Sequence, residues 1–325
     1  MELKPSEELF SLLNKGVARE LQVSVQYILQ YTKVEKILRR IKNENILLDT
    51  TTYEELGHKI KELAIQEMKH LGDIMERIYI LGGEATTKSD PPKIGDNLKE
   101  YVELDEKAEI EALDLYDKTI KEAKKCGDQT TVRLFRNIYK DEEDHLRFFE
   151  EFKQIDFQEP PGPEDIETEH VKVYTDDYFA LLNKAIAAEL GAIIQYTNQH
   201  EKASKLSLRM KKDPLEIIKG SNKAQVVSGL LKDFAMEEMK HLDKMAERIY
   251  KLGGECVYNP DPLPKIGENV DDFLRFGKEG EDYAIVLYRQ IVKKANELGD
   301  VVTKRLFESI IEDEDRHYWE FDDYF

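Results

Sequence analysis

Apolar residues recur at three- and four-residue spacing through eight long stretches of the chain, and each stretch reads as one amphipathic helix. In the first half the pattern predicts helices over 6–40, 54–82, 96–126 and 128–153. In the second half it predicts them over 176–211, 222–253, 269–298 and 300–324. Gly82-Gly83 and Gly253-Gly254 supply C-terminal stops, and Gly127 and Gly299 separate the third helix of each half from the fourth. No strand-like alternation of any length interrupts this pattern. The expected fold class is therefore all-α, with two four-helix bundles in tandem. The irregular connection from Gly83 to about Gly95 spans up to ~40 Å at ~3.3 Å per residue. It can cross the length of a bundle, so each half is expected to carry one long crossover.

The two halves are copies. LLNKGVARELQVSVQY at 12–27 returns as LLNKAIAAELGAIIQY at 181–196, and EMKHLGDIMERIYILGGE at 67–84 returns as EMKHLDKMAERIYKLGGE at 238–255. PPKIGDN at 91–97 returns as LPKIGEN, and TTVRLFRNIYKDEEDH at 130–145 as VTKRLFESIIEDEDRH. Glu20 to Glu189 is an offset of 169 residues and Glu142 to Glu314 one of 172, so the register barely drifts. Pro160, Pro161, Gly162 and Pro163 forbid helix between the copies. The expected domains are 1–156, a Pro-rich linker at 157–173, and 174–325.

The chemistry lies in charged residues on the apolar stripes. In the first helix Leu13, Val17, Glu20, Ser24 and Tyr27 share a face; in the second Ile60, Ala64, Glu67, His70 and Ile74 do. Glu109 precedes Leu113 and Tyr116 in the third, and Phe135, Ile138, Glu142, His145 and Phe149 line the fourth. The copies are Glu189, Glu238, His241, Glu281, Glu314 and His317. Each bundle thus points four carboxylates and two imidazoles inward. An ionised carboxylate buried without a partner costs several kcal/mol or more. Two divalent cations balance four carboxylates, and Glu-x-x-His presents both ligands on one helix face. The motif alone is weak, because six of the seven histidines follow a Glu by three residues, His58 and His170 among them. His170 falls in the linker and His58 has Gly229 as its counterpart, so neither is expected to ligate. Solvated helical faces are the competing reading of the whole set.

Composition narrows the partners. A net charge of -19 repels nucleic acid and anionic lipid. No apolar run reaches the ~18 residues a membrane span needs, and Met1–Glu8 is too polar for a signal segment, so a cytoplasmic location is expected. Cys126 and Cys256 occupy non-equivalent places and suggest neither a disulfide nor a thiolate metal site.

These features resemble the bacterioferritin branch of the ferritin-like superfamily over nearly all of both halves. The resemblance rests on E-L-x(4)-Q-Y in the first helix, E-M-K-H in the second, the LGGE…KIG crossover, and D-E-x-x-H in the fourth. It implies two di-iron centres per chain, with manganese or mixed metal as a variant. Glu20 and Glu142 would be terminal ligands, Glu67 and Glu109 metal bridges, and His70 and His145 would complete the pair; the second half follows suit. The implied reaction is oxidation of Fe(II) to Fe(III) by oxygen or hydrogen peroxide, in a homo-oligomer. The resemblance further implies a tyrosine near the centre, Tyr27 or Tyr196, that supplies an electron; a core aromatic bonded to a ligand is the alternative. It also implies Met68 and Met239 as haem ligands, against a plain packing role between helices.

Two departures bear on the assembly. Only eight residues follow His317, too few for the fifth helix that helps close a ferritin cage, and the additions at 43–59 and 211–225 are expected to extend from one end of each bundle. Neither supports a closed storage shell. A non-storage ferroxidase or oxidase leads, with a storage assembly of twelve chains and a haem-bridged electron-transfer protein as alternatives. A rubrerythrin-type peroxidase lacks its Cys-x-x-Cys unit here.

Overall fold

The computed structural model describes residues 5–155, 158–160, 174–210 and 221–324. The linker stretch 161–173 and most of the 211–225 addition lie outside the described residues. The chain divides into two compact units, Met1–Lys172 and Val173–Phe325. The first contains α1 (Glu7–Asn43), α2 (Thr51–Leu81), α3 (Leu98–Lys125) and α4 (Gln129–Phe152). The second contains α5 (Asp176–Met210), α6 (Ser221–Lys251), α7 (Val270–Leu298) and α8 (Val301–Asp322). The described residues form no strand, and the all-α reading with two four-helix bundles holds.

Each helix boundary has a local cause. The Ser6 side chain accepts from the Leu9 amide at the start of α1, while Asn97 and Asp128 cap α3 and α4 in the same way. At α3 the cap is reciprocal: Glu100 Oε2 accepts from the Asp96 amide at 2.9 Å. Gly82 ends α2 in the left-handed region at φ 91°, where a Cβ would be strained. α1 and α2 each begin or end about three residues beyond the expected bounds. Apolar pairing continues there, with Val34 packed against Tyr53, Leu56 and Ile60 in one core cluster. The 43–59 addition therefore lengthens the hairpin rather than forming a separate appendage.

Within the first unit α1 packs most heavily on α2 and α3 on α4, and α1·α3 and α2·α4 contacts join the two hairpins. The crossover then runs along α1, strapped by side chains the sequence reading did not single out. Asn14 accepts from the Thr86 amide at 2.7 Å, Gln26 from the Lys93 amide at 2.9 Å, and Lys33 donates to the Gly95 carbonyl at 3.4 Å. Asn14 to Lys33 covers about 28 Å of helix, so the strap follows most of the bundle. The second unit repeats it through Asn183, Gln195 and Lys202.

At one end of the first bundle, Arg77 Nη2 reaches Asp128 Oδ1 at 2.7 Å and its Nε donates to Thr131 Oγ1 at 2.7 Å. This buried clamp ties α2 to the cap of α4; Arg248, Asp300 and Thr303 repeat it. Replacing Arg77 with Ala strands a buried carboxylate, and we expect a loss of about 3 kcal/mol or more in first-unit stability. Denaturant unfolding of Arg77→Ala against the wild-type chain measures it; an unchanged midpoint would refute the clamp.

Candidate metal centre

All twelve inward-facing residues are buried: Glu20, Glu67, Glu109 and Glu142 are each 0% exposed, and His70, His145, His241 and His317 4% or less. They converge into four groups whose ligand atoms lie within 4.8 Å of one another. In the first unit the groups are Glu20, Glu67, His70 and Glu142, and Glu67, Glu109, Glu142 and His145. The second unit reproduces both, with Glu189, Glu238, His241 and Glu314 beside Glu238, Glu281, Glu314 and His317. His58 stands apart, with a largely exposed side chain beside Glu62, and His170 lies outside the described residues.

The grouping places two glutamates, Glu109 and Glu142, differently from the expected roles. Glu142 was expected as a terminal ligand and Glu109 as a bridge, yet Glu142 belongs to both groups and Glu109 to one. The cause is helix placement. The carboxylates of the two Glu-x-x-His motifs meet between the two imidazoles, whereas Glu20 and Glu109 enter from the flanks. His70 Nδ1 lies 3.0 Å from Glu67 Oε2 and 3.3 Å from Glu142 Oε1; His145 Nδ1 lies 3.0 Å from Glu67 Oε1 and 3.2 Å from Glu142 Oε2. In the second unit Glu238 and Glu314 hold the shared positions, with all four distances to His241 and His317 between 2.9 and 3.2 Å.

The imidazoles turn Nδ1 to the centre and Nε2 outward. His70 Nε2 meets Asp141 at 3.3 Å and His241 Nε2 meets Asp313 at 3.2 Å. A carboxylate behind a histidine fixes the ring and raises its basicity toward a metal. His317 Nε2 has Glu237 at 2.9 Å, itself held by Arg316, while buried His145 Nε2 has no hydrogen-bond partner. Gln66 and Asp144 stand where the second unit has Glu237 and Arg316.

Tyrosines complete each centre. Tyr27 donates to Glu109 and Tyr116 to Glu20; Tyr196 donates to Glu281 and Tyr288 to Glu189 at 2.5 Å. Tyr27 and Tyr196 had been singled out for this neighbourhood. Tyr116 and Tyr288 had not, though the signal was present: all four follow an inward Glu by seven residues. Each tyrosine bonds the glutamate of the opposite helix. Met68 and Met239 are half-buried.

The electrostatics show what the pocket lacks. Burial, reinforced by the Glu67 and Glu142 charges, pushes the Glu20 carboxyl well up; burial and Glu142 do the same to Glu109. Against burial and the Glu67 charge, the two histidines hold Glu142 down at about 2. Against their own burial, Glu142 and Glu67 raise His70 to about 12 and His145 to about 10. Glu281 rises to about 8 through burial and Glu238. Protons thus stand in for missing positive charge. The substitution is incomplete: Glu20 Oε2 is buried without a hydrogen bond, and Glu67 Oε1, Glu142 Oε1, Glu238 Oε1 and both Glu314 oxygens lie close to an imidazole Nδ1 but outside hydrogen-bond geometry. Buried oxygens of that kind fit a bound cation, and carboxylate with imidazole suits iron, manganese or zinc.

Residues 42–156 and 221–325 match the family model of the ferritin-like domain. The chain belongs to the ferritin-like family. Among its relatives, bacterioferritin of Desulfovibrio desulfuricans is 36% identical over 137 residues, 42% of this chain and 68% of that protein. Bacterioferritin of Brucella melitensis is 30% identical over 163 residues, 50% of this chain and 91% of that one. The solved D. desulfuricans bacterioferritin, described with its diiron site in different catalytic states, matches at 31% identity and TM-score 0.39, covering 45% of this chain and 78% of its own. Rhodobacter capsulatus bacterioferritin, with a metal-free dinuclear site and haem iron, matches at 31% identity and TM-score 0.38, covering 46% and 84%. Each of these matches covers about half of this chain or a little less.

Cations that enter these groups must displace protons from His70 and His145 and from the raised carboxyls of Glu20 and Glu109. We expect release of about four protons per centre at neutral pH, and weaker binding as pH falls because protons compete for the same atoms. Indicator-dye titration of the weakly buffered chain with Zn(II) measures the release; binding without proton release would contradict the charge assignment.

Proposed function

We propose that each unit is a di-iron ferroxidase centre, in which two Fe(II) are oxidised to Fe(III) by oxygen or hydrogen peroxide. The carrying observation is the convergence, twice over, of four carboxylates and two imidazoles around buried oxygens that lack hydrogen-bond partners. Membership of the ferritin-like family and the bacterioferritin relatives support the same reading.

Glu67 and Glu142 would span both metal positions, His70 and Glu20 would complete one, and His145 and Glu109 the other; Glu189, Glu238, His241, Glu281, Glu314 and His317 act likewise. Paired iron supplies two electrons at one place, which matches the two-electron reduction of a peroxide. With peroxide as oxidant, two Fe(II) each lose one electron, the O–O bond breaks, and two protons complete two waters. The chain's own groups manage the charge. Hard carboxylate oxygens favour the ferric product, and Tyr27, Tyr116, Tyr196 and Tyr288 hold the flanking glutamates through their hydroxyl protons. Tyr27 and Tyr196, each hydrogen-bonded to a flanking glutamate, would give up an electron and a proton when only one iron is oxidised. The core excludes water through Phe135, Ile138 and Phe149, all 2% exposed or less.

The haem reading keeps one observation in its favour: Met68 and Met239 are half-buried residues rather than sealed in the core. A Soret band in the purified chain that disappears in Met68→Leu or Met239→Leu supports it, and a colourless protein after haem supplementation ends it. For assembly, we propose a homo-oligomer of a few chains. A native mass near twelve chains would instead favour storage.

Anaerobic Fe(II) loading followed by gel filtration should leave about four ions per chain, two per unit. Glu142→Ala should leave about two, and Glu142→Ala with Glu314→Ala close to none, with loss of the Fe(III) absorbance that air produces in the wild type. Near-zero retention by the wild-type chain would sink the proposal.

A further inference from the structure

The two units are close copies, yet the approach to their centres differs at one side chain. In the first unit Arg19, one residue before Glu20, turns its guanidinium inward. Its Nη2 donates to the Ala108 carbonyl at 2.6 Å and lies 3.2 Å from Glu109 Oε2. The Arg19 side chain is only 10% exposed and Glu109 is 0% exposed. In the second unit the counterpart of Arg19 is Ala188, and the counterparts of Ala108 and Glu109 are Gly280 and Glu281.

A cleft of about 290 Å³ opens where the guanidinium would lie. Ala188, Gly280 and Glu281 line it, its floor also includes Glu189, Glu238 and Glu314, and its rim includes Lys265 and Glu279. Those two rim side chains are exposed and pair with each other at 2.8 Å, so the mouth carries little net charge. The cleft therefore joins solvent to the carboxylates of the second centre. Glu189 and Glu281 keep 2% and 3% side-chain exposure.

We propose, building on the metal-binding reading above, that the two centres are unequal by construction. The cleft beside Ala188 admits divalent cations directly to the second centre, whereas Arg19 closes the corresponding approach to the first. Two effects act in the same direction. The guanidinium fills the approach and satisfies Glu109, and its fixed positive charge repels an incoming cation at a range where the surrounding protein screens poorly. The carboxylate floor of the open cleft attracts that cation, with only a neutral pair at the rim to oppose it. His317 is backed by Glu237 and Arg316, and His145 has no such support, so retention also favours the second centre. The second centre then loads first, and the first fills only as fast as Arg19 lets ions pass.

The test is anaerobic stopped-flow uptake of Co(II) by the full chain, read by its visible absorption and by final stoichiometry, with no turnover required. The proposal expects two phases of about two ions each, the slower by about tenfold or more. Glu238→Ala should remove the fast phase. Arg19→Ala should accelerate the slow phase, and Ala188→Arg should slow the fast one; circular dichroism confirms that each variant is folded. Because these two variants change opposite units in opposite directions, instability of one leaves the other decisive. Uptake of only two ions by the wild type, rising to four in Arg19→Ala, would support complete closure. Four ions in a single phase, or a slow phase indifferent to Arg19→Ala, would overturn the inequality and leave the metal sites standing. No uptake by any variant would remove both proposals together.

Discussion

Four carboxylates cannot share the core of a helical bundle unless something positive is placed among them. In the first unit protons meet this constraint: His70 and His145 are raised by the carboxylates they face, Glu67 and Glu142 are held down against them, and burial drives Glu20 and Glu109 toward the neutral acid. The arrangement neutralises charge but leaves oxygens unsatisfied. A bundle built only for stability would fill these positions with leucine, because well-packed apolar residues commonly match or exceed a buried ion pair. Retaining the acids makes sense when a cation completes the core.

The rest of the fold holds those oxygens still. Capped helices fix the phase of each ligand-bearing face. The crossover strap is bound along α1 by Asn14, Gln26 and Lys33, and the Arg77 clamp secures α2 to the start of α4. The tyrosines link α1 to α3 in both directions, since Tyr27 on α1 bonds Glu109 and Tyr116 on α3 bonds Glu20. None of these groups needs to touch a substrate to matter. They set where a carboxylate oxygen can go.

Much of this was legible in the sequence. Helical periodicity carries its message in every turn, and an inward Glu or His stands out against an apolar stripe. The repeat then supplied a second observation of each candidate, which separated His70 and His145 from His58. What escaped has a common cause. Which glutamates belong to both ligand groups depends on how α2 faces α4, and spacing along one helix does not encode that. Tyr116 looked like any core aromatic until its hydroxyl was found on Glu20. Gln26 and Asn14 serve the crossover's backbone, a partner with no side-chain signature. Arg19, on a ligand-bearing helix, gives no sign in the sequence that it turns inward.

The division of ligands between hairpins has a consequence for how the protein comes apart. The α1–α2 hairpin brings Glu20, Glu67 and His70; the α3–α4 hairpin brings Glu109, Glu142 and His145. Each hairpin closes through a short local turn and can form early, but neither holds a complete ligand group. Docking one hairpin on the other is the event that forces like charges together, so the seam between them is the bundle's electrostatic fault line. An ion bound there acts as a rivet across that seam. Transient opening of an empty bundle should follow the seam in preference to fraying at the helix ends, because separating the hairpins lets water reach every buried acid at once.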